Sequence, residues 1–343
     1  MRLDVLPIGD GACSVLSHSC SPDVAVVDCG DRSRTSDEAA AQLTKFLGSR
    51  QAFIRQLVVT HFDADHWRGL VHLAQYQQYW VMKESASSSI TLYYPNLPSP
   101  RGDLLPTILA VVSLNPKSPV RATALFDAWK RTGYLKATVG LNQGDVVELA
   151  GRPWNVLWPP LHIERKSEKR ISQLIDDVKA LADEFADSGY PALRDALRDA
   201  YRWWEGEDSK DTDPAPDDAA PLIPAARADA FRKLANRVRR LNNYYSLVLE
   251  EDTGQVINFG DTEKGALKTI VSSQATRSHY PVMLAPHHGT VKVPTGFARA
   301  DWCVAQGGVK SKDHFVNHQL THGCSQFIDT LRASVVSFEW PDS

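Results

Sequence analysis

Two imidazoles and two carboxylates fall within the six residues His61-Phe62-Asp63-Ala64-Asp65-His66, directly after the apolar run Leu57-Val58-Val59. An apolar run that stops at such a cluster reads as a strand carrying side chains to the rim of an α/β sheet, where these folds place their chemistry. Imidazole and carboxylate together are the ligand set for Zn²⁺, Mn²⁺ or Fe²⁺. An ion held there makes water a usable nucleophile near neutral pH. Asp and His are also common in solvated turns, so this segment does not decide the matter alone.

The pattern recurs along the chain. Val256–Phe259 runs into Gly260-Asp261, and Pro281–Ala285 runs into Pro286-His287-His288-Gly289-Thr290. A further histidine-bearing stretch, His314 to His322, follows the apolar Trp302–Ala305. Ligands distant in sequence can converge when each sits at a strand end on one rim of a sheet. Three or four polar loops in register with strand ends are hard to explain as solvation.

The surrounding elements fit that reading. Leu3, Val5 and the run Ala12–Leu16 read as strands around a Gly9-Asp10-Gly11 turn, and Val24–Val27 reads as a buried strand ending in Asp28-Cys29-Gly30. Residues 36–48 form a helical pattern, with Leu43, Phe46 and Leu47 on one face. Thr91–Tyr94 and Trp154–Trp158 read as strands, Leu104–Leu114 and Ala122–Arg131 as helices. Later, Tyr244–Glu250 reads as a strand, Ser325–Leu331 as a helix and Val335–Phe338 as a last strand. Strand, helix, strand, ligand loop, helix is α/β order.

Residues 161–241 differ in character. Ile171, Leu174, Ile175, Val178, Leu181 and Phe185 recur at helical spacing. An acidic, Pro/Ala-rich stretch near 205–223 reads as a mobile loop, and Ala228–Leu241 as an Arg-rich helix. The chain therefore divides into an α/β domain, 1–160 with 242–343, and a helical insertion, 161–241. The insertion's basic face (Arg232, Lys233, Arg237, Arg239, Arg240) offers contact to a polyanion, or it is a solvated face paired with neighbouring acids. A protein partner docking through 161–241 is a further expectation.

Composition sets limits. Charged residues make up 23% and the formal net charge is −3, so nothing pulls the whole chain toward nucleic acid or anionic lipid. No apolar run is long enough to span a bilayer, and Met1–Pro7 does not read as a signal peptide. The five cysteines contain no Cys-x-x-Cys, which argues against a disulfide scaffold or a zinc ribbon and makes the cytoplasm the default location.

These residues resemble the metallo-β-lactamase fold hydrolases, whose hallmark His-x-[His/Asp]-x-Asp-His appears at 61–66. The most similar members are the soluble hydrolase domains of competence-type DNA-internalisation proteins (ComEC-like). The resemblance rests on the Asp form of the hallmark, Asn242–Leu249, Gly260-Asp261 and Pro286–Thr290. It rests also on Gly9–Ala12, Asp28–Gly30 and Val156–Pro160, and it covers about 1–160 and 242–340. It implies an αββα sandwich with the site at one sheet edge. It further implies His61, Asp63, Asp65, His66 and His287 as metal ligands, with Asp261 a terminal or bridging carboxylate. Asp65 would orient or deprotonate the attacking water, and His288 would orient or face the substrate. The family's last histidine aligns with His322, with His318 as competitor. Two departures stand out. Asp63 replaces a common second His, which favours harder ions, so Zn²⁺ and Mn²⁺ compete, as one ion or two. The separate histidine that many members carry before Gly-Asp is not evident: Trp158 occupies the nearest matching segment, and His162 lies too far past Pro160.

Hydrolysis at a phosphoryl or carbonyl centre is the implied chemistry. Lys292, Lys310 and Lys312 lie near the ligands in sequence and suit a phosphate clamp, although solvated lysines explain them equally. A phosphodiesterase or nuclease acting on DNA is the leading expectation. A hydrolase of a small ester, lactone or thioester comes second, and a partner module with a structural metal third.

Overall fold

The computed structural model describes residues 1–31, 36–80, 89–99, 101–114, 120–206, 223–273, 275–294, 297–308, 323–331 and 334–341. They form two compact units: Met1–Asn96 with Ala128–Pro159 and Asn243–Ser343, and Leu97–Asp127 with Pro160–Asn242.

The first unit is built on two seven-stranded mixed sheets. One contains β1 (Arg2–Val5), β2 (Ser14–His18), β3 (Ser21–Val27), β4 (Ile54–Val58), β5 (Ile90–Pro95) and β6 (Leu135–Leu141), with β14 (Val336–Glu339) at its far edge. The other contains β7 (Val146–Leu149), β8 (Arg152–Trp158), β9 (Val248–Glu251), β10 (Val256–Asn258), β11 (His279–Leu284), β12 (Arg299–Ala305) and β13 (Cys324–Asp329). The strand orders are β14-β1-β2-β3-β4-β5-β6 and β13-β12-β11-β10-β9-β8-β7.

Alternation along the strands explains the layering. Ala25 and Val27 of β3 join Val156, Leu249, Val282 and Leu284 of the other sheet in one apolar core. Val24 and Val26, which point the other way, are also fully buried, so that outer face needs cover. The cover comes from crossovers. β3 pairs with β4 in parallel, as β4 does with β5, so each connection must leave the sheet and return over a face. Helices α1 (Ser36–Leu47) and α2 (Ala64–Trp80) make those returns. In the second sheet α8 (Lys264–Ser272) joins the parallel pair β10–β11 and buries Ala266, Leu267 and Ile270. Both inner faces are occupied by the shared core, so the helices lie outside, as an αββα sandwich requires.

Several elements depart from the sequence reading. Ser325–Leu331 carries an edge strand, β13, which pairs in parallel with β12 from Ala300↔Cys324 to Ala305↔Asp329. Ladder pairing on a half-exposed edge overrides its weak helical pattern. A disulfide, Cys303–Cys324, joins the same two strands with Cα atoms 5.8 Å apart. Tyr244 ends α7 (Ala228–Tyr244) rather than opening a strand. No helix among the described residues is long and apolar enough to cross a membrane.

The second unit is helical and larger than 161–241. It holds α3 (Leu104–Ser113), α5 (Arg165–Asp187), α6 (Ala192–Trp204) and α7, with α4 (Ala124–Arg131) straddling the boundary. Every residue of α3 is buried. A helix apolar on all sides belongs at the centre of a bundle. The N-cap of α3 is tied to α5 by Lys179 Nζ, 3.4 Å from Asp103 Oδ2, and the segment before α4 is tied to α6 by the Arg121–Asp199 ion pair. The acidic stretch near 205–223 falls mostly outside the described residues.

Candidate metal centre

The strand β4 ends at Val58, and the chain turns sharply through Thr60, His61, Phe62 and Asp63 into α2. Asp65 and His66 therefore occupy the first helical turn, where a carboxylate is favoured by the helix dipole. Neighbouring loops clamp that turn. Ala12 N–H donates to Asp65 O (3.1 Å) and Cys29 N–H to His66 O (2.6 Å). The approach is possible because residue 30 is glycine: a Cβ there would sit 2.5 Å from the Asp65 carbonyl carbon.

The other ligands arrive from the second sheet. Gly260, at φ +50°, turns the chain after β10 so that Asp261 faces inward. Ser246 Oγ accepts from Asp261 N–H at 3.0 Å and donates to Thr60 O at 3.3 Å, which pins the Asp261 turn to the His61 strand end. Leu247 N–H donates to Thr60 O (2.8 Å) and His287 N–H to Gly260 O (2.9 Å). His287 and His288 are both in the left-handed region, at φ +49° and +54°. Two consecutive non-glycine residues there cost conformational energy that the surroundings must offset.

The result is a knot of six side chains, five of them buried and His287 half-buried. Asp261 Oδ2 lies 3.6 Å from His61 Nε2, 3.4 Å from His288 Nε2 and 3.8 Å from His287 Nε2, and Asp261 Oδ1 lies 3.4 Å from His66 Nε2. His288 Nε2 is 3.2 Å from Asp65 Oδ2. Two overlapping groups have ligand-type spacing: His61, His66 and Asp261, and Asp65, His66 and His288.

The outer nitrogens are committed. Asp28 Oδ2 is 2.8 Å from His66 Nδ1, and the same carboxylate accepts from Thr60 N–H (2.8 Å) and Thr60 Oγ1 (2.7 Å). An Nδ1–H aimed at a carboxylate leaves Nε2 as the lone-pair nitrogen. His288 Nδ1 donates in the same way to Gln306 O, which also points its Nε2 inward. His66 Nε2 and His288 Nε2 are then 3.3 Å apart, lone pair to lone pair. His61 Nε2 and Asp261 Oδ2 are buried without a hydrogen-bond partner. Facing lone pairs and orphaned buried acceptors are costly unless a cation lies among them. The residues therefore fit a divalent ion: imidazole nitrogens and carboxylate oxygens, oriented by second hydrogen bonds.

Charge in the metal-free protein tells the same story. Burial is the largest single influence on His66 and works against its charge. It is outweighed by Asp261 and Asp28, and the imidazole is held well above its ordinary range. His288 is likewise pushed up to about 9, burial being overcome by Asp261 and Asp65. Burial leads in depressing His61, reinforced by His66. Asp261 is held well below the usual carboxylate range by His288, His66, His287 and His61, against the pull of burial. Protons on His66 and His288 stand where a metal's charge would. Loading Zn²⁺ at pH 7 is therefore expected to expel about two protons. Titration calorimetry in buffers of different ionisation enthalpy measures that number, and a value near zero would show that His66 and His288 are not ligands.

Of the residues singled out in the sequence, the structure brings together His61, Asp65, His66, Asp261, His287 and His288. Asp63 is buried at the head of α2, with its carbonyl accepting from His66 N–H (3.0 Å), but it joins neither ligand group. Lys292 is exposed. Lys310, Lys312, His314, His318 and His322 lie outside the described residues. Trp158 is buried and donates its indole N–H to Tyr244 O (2.6 Å). Asp28, Thr60 and Gln306 received no role from the sequence. Only Asp28 carried a signal, as the Asp of a strand ending Asp-x-Gly.

No family model matches the sequence, and no curated protein matches it. Among solved structures the chain is similar to the metallo-β-lactamase fold protein YhfI from Bacillus subtilis, at 7% identity over 98% of this chain and 99% of that one, with a TM-score of 0.46. It is similar over 28% of its length to 34% of the short form of human tRNase Z, at 23% identity and a TM-score of 0.21. It is also similar to a B3 metallo-β-lactamase with an active-site glutamic acid, at 13% identity over 70% of this chain and 85% of that one, with a TM-score of 0.26. At these scores the functional reading rests on the geometry of the centre itself.

Proposed function

We propose that the chain is a metal-dependent hydrolase acting on phosphodiesters, with nucleic acid the leading substrate. The observation that carries the reading is Asp261, buried within 3.8 Å of four imidazole nitrogens that come from the ends of β4 and β11 and the start of α2. Zn²⁺ or Mn²⁺, as one ion or two, would supply Lewis acidity and a nucleophile from water when bound. His61, His66 and Asp261 would hold one ion, and Asp65, His66 and His288 form the overlapping group that would hold it otherwise. His287, less buried than the rest, fits a ligand on the open side.

The chain's own groups divide the remaining work. Asp65 would accept the proton of the attacking water, and its Oδ2 lies 3.2 Å from His288 Nε2, close enough for both to face one ion. Asp28 and the Gln306 carbonyl keep the two imidazoles turned inward. Lys292, Lys310 and Lys312 are the proposed clamps for non-bridging phosphate oxygens, and His318 or His322 the proposed final histidine. The lean toward phosphodiesters rests on these lysines together with the competence-type sequence pattern.

The test is elemental analysis of the purified protein coupled to turnover of bis(p-nitrophenyl) phosphate, oligonucleotides and a panel of esters and lactones. Stoichiometric metal and diester cleavage are expected, with Asp65→Asn about 10²-fold slower or worse. Turnover of an ester or lactone with no diester cleaved in any divalent metal would move the assignment to the small-ester class. A protein whose function survives Asp65→Asn would be a binding module with a structural metal.

A further inference from the structure

Three contacts fix how α5 and α7 lie in the helical unit. Arg227, just before α7, pairs with Glu184; the Phe231 and Phe185 rings lie 6.3 Å apart; Arg237 Nη1 is 2.7 Å from Asp177 Oδ2. Between Phe231 and Arg237 on α7 the partners on α5 fall from Phe185 to Asp177, so the helices are antiparallel neighbours. The end of α7 therefore lies beside the beginning of α5. Arg170 is about 10 Å along α5 from Asp177, and Arg240 is about 5 Å along α7 from Arg237, in the same direction.

Both of those ends are basic. The first turns of α5 expose Arg165, Lys166, Lys169 and Arg170, with Glu168 the one acid among them. Arg165 and Lys166 lie in the first turn, where Glu164 at the N-cap and Glu168 balance them, and Lys169 and Arg170 follow in the second turn without a nearby acid of their own. The last turns of α7 expose Arg239 and Arg240, and no carboxylate occurs in sequence between Asp229 and Glu250. None of these six cations shows an ion pair among the described residues, whereas Arg232 and Arg237 are paired with Asp229 and Asp177. Beside α5 runs a groove of about 520 Å³ lined by the cations Arg101, Arg165 and Lys169, the acids Glu168 and Asp176 (the latter 3.6 Å from Arg101), and the polar Ser172 and Gln173.

We propose that this end of the helical unit is a binding surface for the sugar-phosphate backbone of nucleic acid, formed jointly by the start of α5 and the end of α7. Cations spaced along two adjacent helices suit a row of phosphates, and hydroxyl and amide groups in the groove suit sugar and phosphate oxygens. The apolar residues of the pair, Ile171, Leu174 and Ile175 on α5 and Phe231, Leu234 and Val238 on α7, are buried, which leaves little to enter a bilayer. The proposal builds on the phosphodiesterase reading by giving the substrate a holding site, but it can fail independently of it.

Fluorescence anisotropy with a labelled 30-nucleotide DNA, single-stranded and duplex, tests it at two salt concentrations. The full-length wild type is expected to bind, with affinity falling steeply as salt rises. Lys169→Glu/Arg170→Glu and Arg239→Glu/Arg240→Glu are each expected to weaken binding by about tenfold or more and to lower the salt slope by about two. Turnover of bis(p-nitrophenyl) phosphate, too small to need the surface, should not change in either variant. Wild type that does not bind at low salt, variants that bind as wild type does, or a loss seen only with anionic vesicles would each overturn the surface. Variants that lose DNA while wild type fails to cleave any diester would keep the surface and remove the phosphodiesterase reading.

Discussion

Asp261→Asn is expected to lower bis(p-nitrophenyl) phosphate turnover by about 10³-fold or more and to leave the purified protein with little bound metal. The change is nearly isosteric, so the effect reports charge and ligation rather than packing. Asp261 is 1% exposed, and its carboxylate is the one group that reaches His61, His66, His287 and His288 together. A second consequence separates this residue from an ordinary ligand. In the metal-free protein Asp261 offsets the charge on His66 and His288, and its own ionisation is favoured well below the usual carboxylate range. A depressed carboxylate stabilises the fold above its ordinary pKa of about 4 and loses that contribution as pH falls through its folded value. At pH 7 the contribution is fully present. The metal-free variant should therefore melt earlier than metal-free wild type, by the equivalent of about 3 kcal/mol. Unchanged metal content in Asp261→Asn would show that the centre is held by other residues.

Asp28→Asn is expected to weaken metal affinity by about 10- to 100-fold without removing a ligand. Asp28 touches no other member of the cluster but His66, whose Nδ1–H it accepts while also holding Thr60. An amide can present its nitrogen to His66 Nδ1, which would favour the opposite tautomer and turn the Nε2 lone pair into a donor. Asn tolerates the left-handed backbone found at Asp28 (φ +57°) better than most residues, so the fold should survive. The decisive readout is chelator competition for the metal. A purely structural role would lower melting temperature while affinity stayed constant.

Much of the site was legible because its residues sit at strand ends, and strand ends are visible as apolar runs that stop. His61, Asp261 and the 287–288 pair were each found in this way, and the dense cluster 61–66 brought Asp65 and His66 with His61. What could not be read was the part of the site that depends on distance in space. Nothing in the sequence says that Asp28 and His66, 38 residues apart, share a proton, or that the Gln306 carbonyl meets His288. The hallmark spacing places Asp63 with the ligands as well; it is buried at the head of α2, outside the two groups of ligand spacing. The fold shows the same division. The crossover helix α1, with Leu43, Phe46 and Leu47 on one face, was apparent from periodicity. The edge strand β13 was not, because a half-exposed edge (its residues are intermediate or exposed) lacks clean alternation and is defined by its partner β12. The extent of the helical unit was missed for a related reason. α3 is apolar on every side, so its sequence says that it is buried but not in which unit.

The ligands' order along the chain also constrains when the centre can exist. His61 and His288 are separated by more than two hundred residues, and His288 is oriented by Gln306 still later. During synthesis the early cluster at 61–66 emerges long before Asp261 and the 287–288 pair can close over it. Until then it offers only a weak, open partial site. Metal capture should thus be a late event that seals a nearly folded chain, and an ion taken up there becomes a cross-link between the two sheets.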